Sequence, residues 1–443
     1  MTDRQKIEIF SGTLRYRTVS RQTGEVFDMK PFTEIAEYLE KVFPQVHRNF
    51  RKETVGGGSL LFTLQGADPS LKPIMLTAHL DVVPAEDGEN WLEPPFSGKL
   101  RDGRIWGRGA IDYKVGVSGM LQACEDILEG GFTPDRTVIL AFGHDEEVGG
   151  ESGAAEIVRI LADRDVSLSS VLDEGGYIYS FPWMKSDAAV IGLAEKGYLT
   201  LRLTAHGVQG HASVPELNTA AGNLCRCLAE LEKNQFEAKL CTPVEMMLGA
   251  TSDMLEESLI TGDHSPAPAE MMHIIEKWPS GNALVRTTTA ITMIRGSSKE
   301  NIIPASPYAL VNFRAVPGDS SLDILNHVLS VAETLGVDVQ YEDKNQIHEP
   351  SGIASMETVE YGAIEASVRG IWPGIPVVPG IFPAATDSRH YCRIADNIYR
   401  FEPVHLGKDG LGALHSEGES ISVEDYLNAI SFYTDYVRRV SSV

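Results

Sequence analysis

Residues 71–84 read LKPIMLTAHLDVVP and residues 137–150 read TVILAFGHDEEVGG. Each is a short, nearly continuous apolar run that stops on ionisable residues. Runs of this length without alternation are what a strand covered on both faces requires. Between them, VGVSGMLQACEDILEGG (115–131) has apolar residues at helical spacing and a Gly-Gly stop. ESGAAEIVRILADR (151–164) repeats the helical pattern, and SSVLDEGG (169–176) is a third strand ending on acids. This β-α-β-α-β alternation predicts an α/β fold, a mostly parallel sheet sandwiched by helices. In such sheets sites form beyond the carboxyl ends of the strands. All three runs carry their ionisable residues at that end.

The pattern changes after Ile191. GYLTLRLTAHG (197–207) alternates apolar and polar residues, as a strand with one open face does. A helix at 218–234, strands at 286–296 and 306–318, a helix at 321–336 and a strand at 337–343 complete an α+β unit. The expected organisation is a catalytic domain in two parts, 1–193 and 349–443, with an inserted lid or dimerisation domain at 194–348. The stretch from Gln235 to Gly281 is the least regular and is expected to be an irregular helical excursion. The last helix is VEDYLNAISFYTDYVRRV (423–440).

Composition narrows the function. The 443 residues are 43% hydrophobic and 23% charged, an ordinary globular mix with ample core. Thirty-eight basic against 62 acidic residues give a net charge of −24, which argues against a nucleic-acid partner. No stretch approaches a membrane span, and MTDRQKIEIFSGTLRYRTVS (1–20) lacks the apolar heart of a secretory signal. The five cysteines are odd in number and form no CxxC pair, so a thiolate zinc site is not expected. A cytoplasmic protein with free thiols is.

His79 and Asp81 lie one residue apart at a strand end, so both face one side. Asp81 is positioned to hold the second ring nitrogen of His79, the usual support of a metal-bound imidazole; a hydrogen-bonded loop histidine is the plainer alternative. Asp112 follows the glycine-rich WGRGAID (106–112) and reads either as a ligand or as a helix cap. Glu146 and Glu147 are adjacent after a deeply apolar run. They repel unless solvent or a cation compensates, and a dication bound by one leaves the other free to handle a proton. Asp173 and Glu174 repeat the theme, and His415 sits in a glycine-rich loop, LGALHSEGESIS (411–422). Two imidazoles with several carboxylates and no thiolate suit catalytic zinc, or cobalt or manganese.

The ordered set HLDVVP, WGRGAID, GHDEEVGG, LDEGG, GHASVP, ENIIP, TDSR and LHSEGE resembles the aminoacylase and carboxypeptidase S branch of the di-zinc exopeptidases. That branch includes Gly-Xaa carboxypeptidases and N-fatty-acyl amino acid enzymes. The resemblance runs from about His79 to the last helix. It implies two zinc ions per subunit bridged by Asp112, with His79 on one ion and Glu147 and His415 on the other. It implies Glu146 as general base and Asp81 as the support of His79. The remaining ligand is Glu174 or Asp173, with Glu174 favoured by its place before the glycines. His211 would stabilise the oxyanion, often from a partner subunit, and Asn301, Arg314 and Arg389 would bind substrate. A homodimer through the inserted domain is also implied.

One departure concerns the run Asp112-Tyr113-Lys114-Val115-Gly116, where the family usually has Lys-Gly. A β-branched Val resists a positive φ, so the bend after Asp112 is expected to differ. The implied reaction is metal-assisted hydrolysis of an amide bond in a small peptide or an N-acyl amino acid, probed as a carboxypeptidase, a deacylase or a strict dipeptidase. The reading from another class is a protein that holds metal and ligand without turnover; loss of Glu146 or of a ligand is its signature, and every one is present.

Overall fold

Ile74–His79 and Val138–Gly143 are strands buried along their whole length. Ile74, Leu76, Ala78, Val138, Leu140 and Phe142 enter one apolar cluster, while Met75, Ile139 and Ala141 enter another. Such a strand has no polar side, which is why the runs read as uninterrupted. Each aliphatic side chain buried this way contributes roughly 1.5–3 kcal/mol.

The computed structural model describes residues 1–21, 27–85, 91–259, 265–407, 412 and 414–442. The chain divides into two units: Met1–Leu193 with Ile353–Gly380 and Thr386–Val443, and Ala194–Gly352 with Ile381–Ala385.

The large sheet contains β1 (Arg51–Val55), β2 (Ser59–Leu64), β3 (Ile74–His79), β4 (Val138–Gly143), β5 (Leu168–Asp173), β6 (Ile178–Tyr179), β7 (Ala188–Glu195), β8 (Val377–Phe382), β9 (Ala395–Arg400) and β10 (His405–Gly407). Their spatial order is β1-β2-β4-β3-β5-β9-β7-β6-β10, with β8 beside β7. The central run β4-β3-β5-β9 is parallel. Antiparallel neighbours extend it on both flanks, β2 and β1 on one side and β7 on the other. The parallel centre is what the strand–helix alternation predicts.

The helix Lys114–Glu129 lies between β3 and β4, and Ala154–Ala162 between β4 and β5. The second buries Ala154, Ile157, Val158 and Leu161, the i, i+3, i+4, i+7 stripe of a helix lying on a sheet. The final helix, Val423–Ser441, packs on Lys114–Glu129. The Ser422 hydroxyl caps it by accepting the Asp425 N–H at 2.9 Å, and Arg438 and Arg439 complement the dipole at its other end. A separate three-stranded sheet pairs Lys99–Arg101 with Arg104–Trp106, and that strand with Ser420–Ser422. It fastens the segment leading to Asp112 beside the segment that follows His415.

In the second unit, Leu199–Ala205 is flanked by Tyr308–Arg314 and Val337–Tyr341, with Thr288–Arg295 outermost, all antiparallel. Leu199, Leu201, Leu203 and Ala205 pack with residues of the helices Ala220–Lys233 and Ser321–Ala332, and the intervening residues stay partly open. The excursion after Gln235 forms three short helices, Thr242–Thr251, Pro268–Ile275 and Pro279–Val285, each with a proline in its first turn. Its residues 260–264 lie outside the described residues. Buried Lys196 ties the end of this excursion to the sheet, donating to the carbonyls of Ala283 (2.9 Å) and Arg286 (2.7 Å). No helix among the described residues is long and apolar enough to cross a membrane.

Candidate metal centre

The carboxyl ends of three parallel strands converge with two loops. β3 ends on His79, β4 runs through His144 and Asp145 into a single tight turn at Glu146–Val148, and β5 ends on Asp173 with Glu174 next. Asp112 stands just before the helix that begins at Lys114, and its peptide bond to Tyr113 is cis. Val115 sits in the first turn of that helix, so the bend falls before it rather than on it. His415 has a left-handed backbone, φ 59°.

Two groups of donors form around Asp112. His79, Asp112 and Glu174 make one; Asp112, Glu147 and His415 make the other, with the donor atoms of each group within 4.8 Å of one another. Asp112 Oδ1 lies 2.9 Å from His79 Nε2, and Oδ2 lies 2.8 Å from His415 Nε2. Glu174 Oε2 is 3.7 Å from His79 Nε2, and Glu147 Oε1 is 3.6 Å from His415 Nε2. Glu147 Oε1 also accepts the Val83 N–H at 3.1 Å.

Asp173 stands outside both groups. Its Oδ2 accepts the Thr386 hydroxyl at 2.7 Å and the Ser388 N–H at 3.0 Å, anchoring the TDSR segment from behind. Asp81 lies beside His79 as expected and makes further contacts that the sequence does not show. The nearer partner of His79 Nδ1 is the Asp81 main-chain carbonyl at 2.9 Å, with Asp81 Oδ1 at 3.5 Å. The carboxylate also accepts two successive N–H groups, Glu146 at 3.1 Å and Glu147 at 3.0 Å. Fully buried Asp81 therefore orients the turn that presents both glutamates.

The electrostatics are those of an anionic hollow. Burial, and then the neighbouring Glu174, push the Glu146 carboxyl well above its ordinary range. Burial pushes Glu174 up to about 8 against the opposing pull of His79. Glu147 is raised by burial too, although its bond to His415 works the other way. Asp112 is largely screened from solvent, but the bonds from His415 and His79 outweigh that desolvation and hold it well below the carboxylate range. Those same partners raise the imidazoles: His415 goes up to about 10 through Asp112 and Glu147. For His79 burial pulls down, and Glu174 and Asp112 overcome it. Carboxylates crowded this closely keep their charge only beside cations. An all-oxygen-and-imidazole donor set with one shared carboxylate fits a pair of divalent ions.

Arg389 reaches the same region from behind. Its guanidinium donates to the Gly149 carbonyl at 2.6 Å, bracing the turn after Glu147. His390 Nε2 meets the same carbonyl at 3.0 Å. The remaining candidates belong to the second unit. His211 is exposed, with Nδ1 2.8 Å from the Ser213 hydroxyl. Its two-residue strand pairs with Ile302–Ile303, and the Asn301 carbonyl accepts the Ala212 N–H at 3.1 Å, so His211 and Asn301 are held together. Arg314 lies over the Tyr198 ring at 4.6 Å and lines a hollow of about 390 Å³ with Tyr198, Thr200, Asn312 and Glu342.

Arg108 and Glu419 were not among the sequence candidates, yet both are buried beside Asp112, 2.7 Å apart. The clue in the sequence is a charged residue next to glycine in each motif, Arg108 in GRG and Glu419 in EGE. Asp387 is a second such case, buried between Gly143 and Gly150.

A family model described as "Peptidase family M20/M25/M40" matches residues 75–439, and the chain belongs to that family. It is 39% identical over 407 residues to the N-fatty-acyl-amino acid synthase/hydrolase PM20D1.1 of Danio rerio, covering 89% of this chain and 78% of that protein. It is 34% identical over 431 residues to the probable carboxypeptidase S-like 2 of Dictyostelium discoideum, covering 96% and 82%. Among solved structures, the M20 family metallo-carboxypeptidase Sso-CP2 from Sulfolobus solfataricus shares the fold, with a TM-score of 0.71 at 18% identity over 98% of both chains. The protein is a metal-dependent hydrolase acting on amide bonds.

Proposed function

We propose that the chain is a di-zinc exopeptidase-type hydrolase releasing a free amino acid from a small peptide or an N-acyl amino acid. The observation that carries this is Asp112, whose two oxygens face two different histidines, each with its own glutamate. His79 and Glu174 would hold one zinc, Glu147 and His415 the other, with Asp112 between them. When bound, such ions supply Lewis acidity that brings the pKa of a coordinated water toward about 7. Glu146 stands next to a ligand but outside both groups, with its carboxyl raised by burial. It takes the proton from the attacking water and passes it to the leaving nitrogen. Asp81 holds Glu146 at that position through its main-chain N–H.

We assign the developing oxyanion to His211 and the polar ends of the substrate to Asn301 and Arg314. Arg389 is the weaker choice for the substrate carboxylate, because one arm of its guanidinium is engaged by Gly149. The deacylase reading is kept beside the carboxypeptidase one because 39% identity ties the chain to a protein named for N-fatty-acyl amino acids. We also propose a homodimer through the second unit. Val208, Val214 and Leu217, exposed around His211, support it as apolar surface awaiting cover. Free cysteines throughout support a reducing cytoplasm.

The test is hydrolysis of N-acyl amino acids and Gly-Xaa dipeptides, with and without a chelator, alongside metal content by mass spectrometry. Chelator-sensitive release of an amino acid is expected, with two zinc ions per chain. Turnover that survives complete metal removal sinks the proposal. Light scattering that gives a monomer at micromolar concentration sinks the dimer alone.

A further inference from the structure

The buried pair Arg108–Glu419 belongs to neither donor group. Glu419 is fully buried and Arg108 nearly so. Glu419 Oε1 accepts two successive main-chain N–H groups, Ile111 at 2.8 Å and Asp112 at 3.2 Å. Its Oε2 accepts Arg108 NH1 at 2.7 Å. Arg108 NH2 then donates to the main-chain carbonyl of His415 at 3.0 Å, and its guanidinium lies over the Trp91 ring at 5.3 Å. One chain of charge-assisted bonds thus runs from the backbone of Asp112, through Glu419 and Arg108, to the backbone of His415.

This wiring is asymmetric between the two donor groups. His79 ends β3, which is hydrogen-bonded on both sides, and Glu174 follows directly on β5. Those ligands are carried by the sheet. His415 is half exposed, sits in a loop with a left-handed backbone, and comes from 307 residues beyond the arginine that holds it. A ligand on a loop is placed only as well as the groups that grip its backbone.

We propose that Arg108 and Glu419 are positioning residues for the second cation alone: they set the distance between His415 and Asp112 and so govern occupancy of the Asp112–Glu147–His415 group. The inference rests on the two-cation reading above. Arg108 and Glu419 supply no donor atom to either group.

The experiment measures zinc per chain after equilibrium dialysis, with cobalt(II) loading followed by visible absorption, on wild type, Arg108→Gln, Glu419→Gln and Arg108→Lys. Arg136→Gln serves as control, since Arg136 forms a part-buried pair with Glu360 in the same unit at 2.5 Å. Wild type should hold two ions, and Arg108→Gln and Glu419→Gln one, with the second site weakened about 10–100-fold, the usual scale for loss of a group behind a ligand. Cobalt titration of these variants should show one tight absorbance step instead of two. Arg108→Lys keeps the charge and folds with it, and should recover part of the second-site affinity. Arg136→Gln should lower thermal stability and keep two ions. Two ions at wild-type affinity in folded Arg108→Gln and Glu419→Gln overturn the inference, as does parallel weakening of both sites. A wild type that binds fewer than two ions overturns the two-cation reading itself, separately from any variant.

Discussion

Replacing Asp81 by Asn tests how the glutamate turn is held. The two carboxylate oxygens of Asp81 accept the N–H groups of Glu146 at 3.1 Å and Glu147 at 3.0 Å, and the residue is fully buried. Asn keeps one acceptor, turns the other into an amide donor facing an N–H, and removes the charge from both bonds. A hydrogen bond to a charged group is worth about 1.5–3 kcal/mol, and a neutral one about 1. Losing one and weakening the other costs about 2–5 kcal/mol. Chemical denaturation followed by tryptophan fluorescence measures this. The activity effect is separable. Freed of its anchor, the Glu146 carboxylate shifts by an amount of order 1 Å, which costs about 10²-fold in kcat while both donor groups stay complete. A variant with wild-type kcat and a stability change below about 0.5 kcal/mol refutes the reasoning, for then the turn is held by something else.

Three further outcomes follow from the same geometry. Glu146→Gln should keep both ions and lose about 10²–10⁴-fold in kcat, the scale of a proton-transfer group; steady-state kinetics with metal analysis checks both halves, and near-normal turnover removes Glu146 from its role. Affinity for divalent ions should rise with pH, because metal-free Glu174 holds a proton below about 8 and His415 below about 10, and both protons must leave on loading. Below about 8 the apparent constant for loading both ions together should climb by about two decades per pH unit, one for each of these protons, read by competition with a chromophoric chelator; a flat profile contradicts the assignment of those ligands. Gly150→Ala should destabilise the first unit by about 2–5 kcal/mol: at φ 69° the new Cβ would fall 2.0 Å from Asp387 Oδ1, so the backbone or the TDSR segment must move. A calorimetric midpoint equal to wild type counts against that packing.

Much of the site was legible because one physical rule repeats. Apolar runs buried on both faces stop where charge begins, so His79, the Glu146–Glu147 pair and Glu174 announce themselves at strand ends. Asp112 and His415 needed the motif resemblance, since glycine-rich loops have no period to read. Periodicity marks β3, β4 and β5 as parallel neighbours but not the antiparallel flanks: β6 has two residues, too few to show any alternation. Asp81 was expected beside His79, and its Oδ1 does lie 3.5 Å from Nδ1; alternation puts it on that side but says nothing of the main-chain donors 65 residues away that the same carboxylate also takes. Arg108 and Glu419 stayed hidden for the same reason. They lie 311 residues apart, and either alone looks like an ordinary surface charge.

The place of β9 has a consequence for biosynthesis. Residues 395–400 pair with β5 on one side and touch β7 on the other, although both of those strands are translated some two hundred residues earlier. Until that late segment leaves the ribosome, β5 presents an open, strongly apolar edge, the kind of template on which nascent chains associate wrongly. The growing polypeptide must therefore be shielded, or stay loosely ordered, through about half of its synthesis. His415 emerges later still, so cleavage activity arises only after the sheet has been sealed.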